Sequence, residues 1–180
     1  MRRGIRTEVD LRAAAHNLSA VKKLTSNRPV IAVVKADAYG HGAVRLSEAF
    51  VKAGASALAV AFVSEAIEIR EAGIKIPIIV LFDSTDLPDY FKYKLIPVIH
   101  DLNIAKAFSK EAAKKNVNLD VHLKADTGMG RLGFSDEGDL LKSAELPNLR
   151  VAGLMSHFSE ADLADRDFIE AQLEKFKKIK

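Results

Sequence analysis

One hundred and eighty residues carry 48% hydrophobic and 28% charged side chains and a formal net charge of +3, ordinary proportions for a globular domain with a real core. With no cysteine in the chain, disulfides, thiolate metal sites and a cysteine nucleophile are excluded, which fits a reducing cytoplasm. The basic residues are scattered apart from Arg2-Arg3 and the Lys175–Lys180 end, which argues against nucleic acid as a partner. The longest apolar stretch, Ala57 to Val63, is far short of the roughly 18 residues a membrane span needs.

In chain order, Ile5 to Val9 alternates weakly and reads as a short strand. Asp10 is a candidate N-cap for a helix with Leu11, Ala14, Ala15, Leu18 and Val21 on one face. Asn27-Arg28-Pro29 breaks that helix. Val30 to Val34 then forms a strand whose lack of polar alternation predicts burial on both faces. Ala43 to Ala53 carries Leu46, Ala49, Phe50 and Ala53 on a helical stripe, with Gly54 where a C-cap belongs. Strand and helix then alternate. Ala57 to Val63 precedes a helix capped by Ser64 and ending near Gly73, and Pro77 to Phe82 precedes a short helix around Leu87 to Tyr93. Ile96 to Ile99 leads to a helix from Leu102 to Lys115, and Leu119 to Leu123 to a long loop and a helix near Glu137 to Ala144. Val151 to Met155 leads to a helix from Asp167 to Lys180. About six consecutive β-α units imply a parallel sheet in one architectural unit, with no linker or internal repeat dividing it.

Polar residues follow the strands: Lys35 the first, Asp83 the third, His100 and Asp101 the fourth, Lys124 and Asp126 the fifth, Ser156, His157 and Ser159 the sixth. In a parallel sheet the strand C-termini share one side, so as a set these groups are expected to converge on a site. Singly, Asp83 and Asp101 read as helix N-caps. No companion His or Glu stands at ligand spacing from His157, so no metal site is expected.

Lys35 has two readings from the residues alone: a strand-end lysine reaching to solvent, or a nucleophilic amine. Tyr39 offers a hydroxyl nearby, and Gly40 and Gly42 offer backbone N–H groups before a helix N-terminus. A lysine beside such an anion site suggests a Schiff-base lysine for a phosphorylated carbonyl cofactor. Lys124 and Arg131 flank Thr-Gly-Met-Gly, a loop able to bring both cations together, and the planar fork of arginine suits a carboxylate.

Val34-Lys-Ala-Asp-Ala-Tyr-Gly-His-Gly42 resembles the pyridoxal-phosphate attachment motif of alanine racemases. His122-Leu-Lys-Ala-Asp-Thr-Gly-Met-Gly-Arg-Leu-Gly133 resembles the family's second signature and Gly153-Leu-Met-Ser-His-Phe158 its third, so the resemblance covers essentially the whole chain. It implies an α/β fold, the (β/α)₈ TIM-type barrel of that family. Residues 1–180 would supply only about six of its eight units, without the family's C-terminal all-β domain. It implies interconversion of L- and D-alanine, supplying D-alanine for peptidoglycan. Pyridoxal 5'-phosphate would be held by Lys35, which also acts as base on one face of the substrate.

By the same resemblance, Tyr39 and His157 contact the cofactor and Arg131 positions the substrate. His157 also has a plainer reading, as a hydrogen-bonded structural group. Lys124 matches a lysine that is carbamylated in several members; alternatively Asp126 supplies the nearby anion and Lys124 is unmodified. The acid/base for the opposite face is, in the family, a tyrosine of the second domain contributed by the other subunit of a homodimer, and nothing here matches it. The chain alone is therefore expected to be a truncated, inactive piece of the racemase that associates with itself. The rivals are a broad-specificity racemase or a decarboxylase on the same barrel, and a one-domain, non-enzymatic pyridoxal-phosphate carrier. The shorter loop after the cofactor lysine in such carriers counts against the last.

Overall fold

A computed structural model describes residues 4 and 7–179. Residues 5 and 6 of the expected first strand lie outside the described residues, and Thr7 to Val9 is irregular. Asp10 opens helix α1 (Leu11–Leu24), its Oδ1 accepting the N–H groups of Arg12 and Ala13 at 2.8 and 3.2 Å. The chain then divides into two compact units, Met1–Asp83 with Tyr93–Leu95, and Ser84–Lys92 with Ile96–Lys180.

In the first unit, strands β1 (Ile31–Val33), β2 (Ala57–Val60) and β3 (Ile78–Val80) lie parallel in chain order, with Ile31 opposite Ala57 and Leu58 opposite Ile78. Between β1 and β2 run a short turn, α2 (Lys35–Gly40), and helix α3 (Ala43–Lys52); α4 (Val63–Glu71) joins β2 to β3. Gly54, at φ +87°, ends α3 in the left-handed conformation that glycine adopts without steric cost. Both faces of β2 and β3 are buried, around Leu58, Val60, Ile69 and Ile78. Strand β1 departs from expectation. Ala32 is buried, but Ile31 and Val33 remain 43% and 42% exposed, because no described element of this unit covers the face they share. The Arg70 guanidinium donates to the carbonyls of Ile74, Ile76, Tyr93 and Lys94 at 2.7–3.1 Å, fastening Tyr93–Leu95 to this unit.

The second unit repeats the winding. Strands β4 (Ile96–Ile99), β5 (Leu119–Lys124) and β6 (Leu149–Met155) are parallel in chain order, with a register shift between Val121 and His122 on the β5–β6 side. Helices α5 (Leu87–Lys92), α6 (Leu102–Lys115), α7 (Glu137–Ala144) and α8 (Asp167–Lys178) complete it. Tyr90 of α5 and Phe108 of α6 pack edge to face, 4.9 Å between centroids, in a core shared with Ile99 and Leu123. Parallel strands joined in chain order by helices are the winding of a (β/α) barrel. No helix among the described residues is long and apolar enough to cross a membrane.

Candidate active site

Strand β1 delivers Lys35 at its C-terminal end, and the backbone there does something the sequence does not announce. Ala36, Asp37, Ala38 and Tyr39 all lie in the left-handed helical region, φ 52–56° and ψ 40–53°. For L-residues this conformation costs about 1–2 kcal/mol each, and non-glycine residues normally visit it singly. Hydrogen bonds hold the turn. The Asp37 carboxylate accepts Ala43 N–H at 2.6 Å, the Asp37 carbonyl accepts Gly42 N–H at 3.0 Å, and Ala38 N–H donates to the Val34 carbonyl at 3.0 Å. Ala36 N–H donates to Glu65 of α4 at 2.5 Å.

These bonds correct one expectation. Gly42 N–H, one of the two glycine amides expected to meet an anion, is spent on the Asp37 carbonyl, and the neighbouring Ala43 N–H on the Asp37 carboxylate, so neither is open to an anion at the start of α3. The Lys35 ammonium stands 5.0 Å from the ring centroid of Phe82 and 6.0 Å from that of Tyr39, within cation–π range. The Tyr39 side chain is 61% exposed, so its hydroxyl can meet a ligand. Asp83 Oδ2 accepts Val63 N–H at 3.2 Å, so it caps the earlier helix α4 rather than one that follows it; Ser64, the expected cap of α4, lies inside that helix, whose N-cap position is Phe62.

In the second unit, β5 ends at Lys124, only 5% exposed. The loop that follows closes on itself: Phe134 N–H donates to the Lys124 carbonyl at 2.8 Å and Asp126 N–H to the Phe134 carbonyl at 2.9 Å. Gly133 is compulsory at this crossing, since a Cβ would sit 2.6 Å from Asp126 N. The Asp126 carboxylate accepts Gly128 N–H at 2.9 Å and Gly130 N–H at 3.0 Å. Burial pushes its pKa up, but the Gly128, Gly130 and Met129 amides and the Lys175 charge outweigh this and hold it below the usual carboxylate value. Asp126, whose carboxylate accepts these loop amides, thus shapes the loop that presents the exposed Arg131.

Asp101 caps α6 through Asn103 N–H and Ile104 N–H at 2.7 and 3.2 Å. His100, just before it, is held more acidic than an ordinary histidine by burial, with Val98 and Asp101 opposing and the Lys124 charge adding to the shift. The exposed His157 follows β6, and what anchors its backbone is Gln172 of α8, only 1% exposed. Gln172 Nε2 donates to the His157 carbonyl at 3.0 Å and to Thr127 Oγ1 at 3.3 Å, and Oε1 accepts the Ser159 N–H at 3.1 Å and its hydroxyl at 3.3 Å. Thr127 and Ser156 share a hydroxyl contact of 2.7 Å. Sequence reasoning missed this residue. The available signal was a glutamine at helical spacing between Ile169 and Phe176, on the stripe that faces the core.

Lys35 and Tyr39 therefore share one unit; Lys124, Arg131 and His157 share the other. Among the described residues no group of three or more His, Asp or Glu is arranged to hold a metal.

The family model "Alanine racemase, N-terminal domain" matches residues 9–180. The chain belongs to the alanine racemase family. It is similar to the alanine racemase of Thermodesulfovibrio yellowstonii, 48% identical over the whole chain and half of that protein, and to that of Halothermothrix orenii, 42% identical over 96% of the chain and 47% of the relative. Among solved structures, alanine racemase from E. faecalis superposes with a TM-score of 0.85 at 35% identity, covering 95% of this chain and 48% of that one. The enzyme from D-cycloserine producing Streptomyces lavendulae superposes with a TM-score of 0.88 at 29% identity, covering 95% and 47%. The chain thus spans about half the length of the alanine racemases it matches, and its six β-α units have the fold of the racemase N-terminal barrel.

Proposed function

We propose that residues 1–180 are the cofactor-binding barrel portion of an alanine racemase, which interconverts L- and D-alanine with pyridoxal 5'-phosphate on Lys35 and supplies D-alanine for peptidoglycan. The observation that carries this reading is the family match over 9–180 with Lys35 at the end of β1. The donor set suits the cofactor: a primary amine beside two aromatic faces, with an exposed phenol four residues on. Pyridoxal 5'-phosphate supplies an electron sink that acidifies the α-proton of a bound amino acid.

The residues divide the remaining work. Lys35 Nζ takes or returns the α-proton on one face of the substrate. Tyr39, through its exposed hydroxyl, and His157, through its imidazole, would help to hold the cofactor. Arg131 offers two parallel N–H donors to a carboxylate, on a loop whose shape Asp126 sets. Lys124, buried beside His100, is the candidate for carbamylation, which would turn a buried cation into the anion that Arg131 needs. The proton on the opposite face comes from the partner subunit of a homodimer.

The test is to add pyridoxal phosphate, follow the absorbance near the visible edge, reduce with borohydride and map the peptides. The adduct is expected on Lys35. An adduct on Lys124, or labels spread over surface lysines, would overturn the assignment.

A further inference from the structure

In the first unit, one carboxylate ties together two backbone turns that are remote in sequence. Glu65 Oε1 accepts Ala36 N–H at 2.5 Å, while Oε2 accepts Ala61 N–H at 2.7 Å and Phe62 N–H at 3.0 Å. The Phe62 bond has a local reason: a glutamate at the third position of α4 reaches back to the amide before the helix. The Ala36 bond has none. It crosses 29 residues to the first member of the left-handed turn.

Ala36 N–H belongs to the peptide plane that begins with the Lys35 carbonyl. Fixing that plane fixes the direction in which the Lys35 side chain leaves the strand. Glu65 is suited to this because an ionised carboxylate only accepts, and can serve amides on two sides through its two oxygens. We propose that Glu65 is a positioning residue for Lys35: by pinning Ala36 N–H to the β2–α4 turn, it aims the Lys35 amine. This rests on the reading of Lys35 as the cofactor lysine. It predicts that the α4 cap and the Lys35 clamp, two jobs of one side chain, can be separated.

Glu65→Gln keeps the size but offers one acceptor oxygen and an NH₂ that would face an N–H, so one arm must open. Glu65→Asp keeps the charge and is one methylene shorter. It can still cap α4 through Phe62, and so preserves the fold, but it does not also reach Ala36. In the full chain without cofactor, backbone amide exchange should accelerate at Ala36 by tenfold or more in both variants. The Ala38 amide, bonded to the Val34 carbonyl, should keep its protection, which separates a local release from general unfolding.

Trapping with pyridoxal phosphate and borohydride supplies the second readout, the ratio of adduct on Lys35 to adduct on the exposed Lys52. That ratio should fall at least tenfold in both variants. Should Glu65→Gln fail to fold, Glu65→Asp decides. An unchanged ratio overturns the proposal, whether or not Ala36 exchange speeds up, and leaves Glu65 as a helix cap. If the unsubstituted chain forms no adduct on Lys35, the cofactor reading itself falls and the proposal falls with it.

Discussion

The side chain of Gln172 donates to the backbone carbonyl of His157 across 3.0 Å, from a helix to the loop fifteen residues before it. Both Nε2 protons and both sides of Oε1 are engaged, a full complement for an amide. Gln172→Leu would leave the His157 carbonyl and Ser159 N–H without these partners. Each hydrogen bond so lost contributes about 0.5–1.5 kcal/mol. Chemical denaturation should show a loss of at least that size, with faster amide exchange at Ser159. Unchanged stability would show that water replaces the glutamine without penalty.

Gly153 and His122 make a second such pair. A Cβ on Gly153 would lie 2.8 Å from His122 Cε1 and 2.9 Å from both ring nitrogens. Gly153→Ala should therefore destabilise by about 1–3 kcal/mol through overpacking. The double change with His122→Ala should cost less than the sum of the two.

The same histidine gives a pH dependence. Burial holds the His122 pKa below its ordinary value, opposed by the Asp120 charge. The folded state then binds fewer protons than the unfolded one below the unfolded pKa of about 6.5. The stability in question is complete above that pH and is lost as pH falls from the unfolded to the folded pKa. His100, shifted the same way, adds to the effect. Stability measured from pH 7.5 down to pH 5 should decline, and His122→Gln should flatten the curve. An equal slope in wild type and variant would contradict this assignment.

Arg131→Lys in the complete racemase keeps the charge and loses the fork. Alanine turnover or affinity should fall by an order of magnitude or more. Unchanged kinetics would mean that the substrate carboxylate is held elsewhere.

The exposed apolar side chains Ile31 and Val33 of β1 and Val151 of β6 should favour pairing of residues 1–180 with a second copy. Light scattering checks this: a species of at least twice the monomer mass is expected, and a monodisperse monomer would overturn it.

Helix α6 was legible to the residue, Leu102 to Lys115, because Asp101 stops the backbone at one end by a local bond and Asn116 at the other by adopting φ 53°. Strand limits were less so. β6 begins at Leu149, two residues before the apolar run, because Leu119 recruits Leu149 across the sheet. The face exposed on β1 was not readable from its unbroken apolar run, since exposure depends on neighbours rather than on the strand itself. Of the candidate site, Lys35, Lys124 and Arg131 drew attention by residue type and position, and His157 through the family resemblance. What holds them did not. Gln172 resembles any helical glutamine, and Glu65 any helical glutamate, until the loops they reach are known.

The left-handed turn at Ala36–Tyr39 bears on the order in which the protein assembles and fails. Every residue of that turn is uphill on its own, so a peptide cut from residues 30–45 has no local reason to wind left. Glu65 reaches Ala36 only from the β2–α4 turn, so this bond must await the docking of β2 on β1. The turn after Lys35 is thus completed only once β2 lies beside β1. In mild denaturant this long-range bond should open before the helices do, so amide exchange at Ala36 should rise ahead of global unfolding.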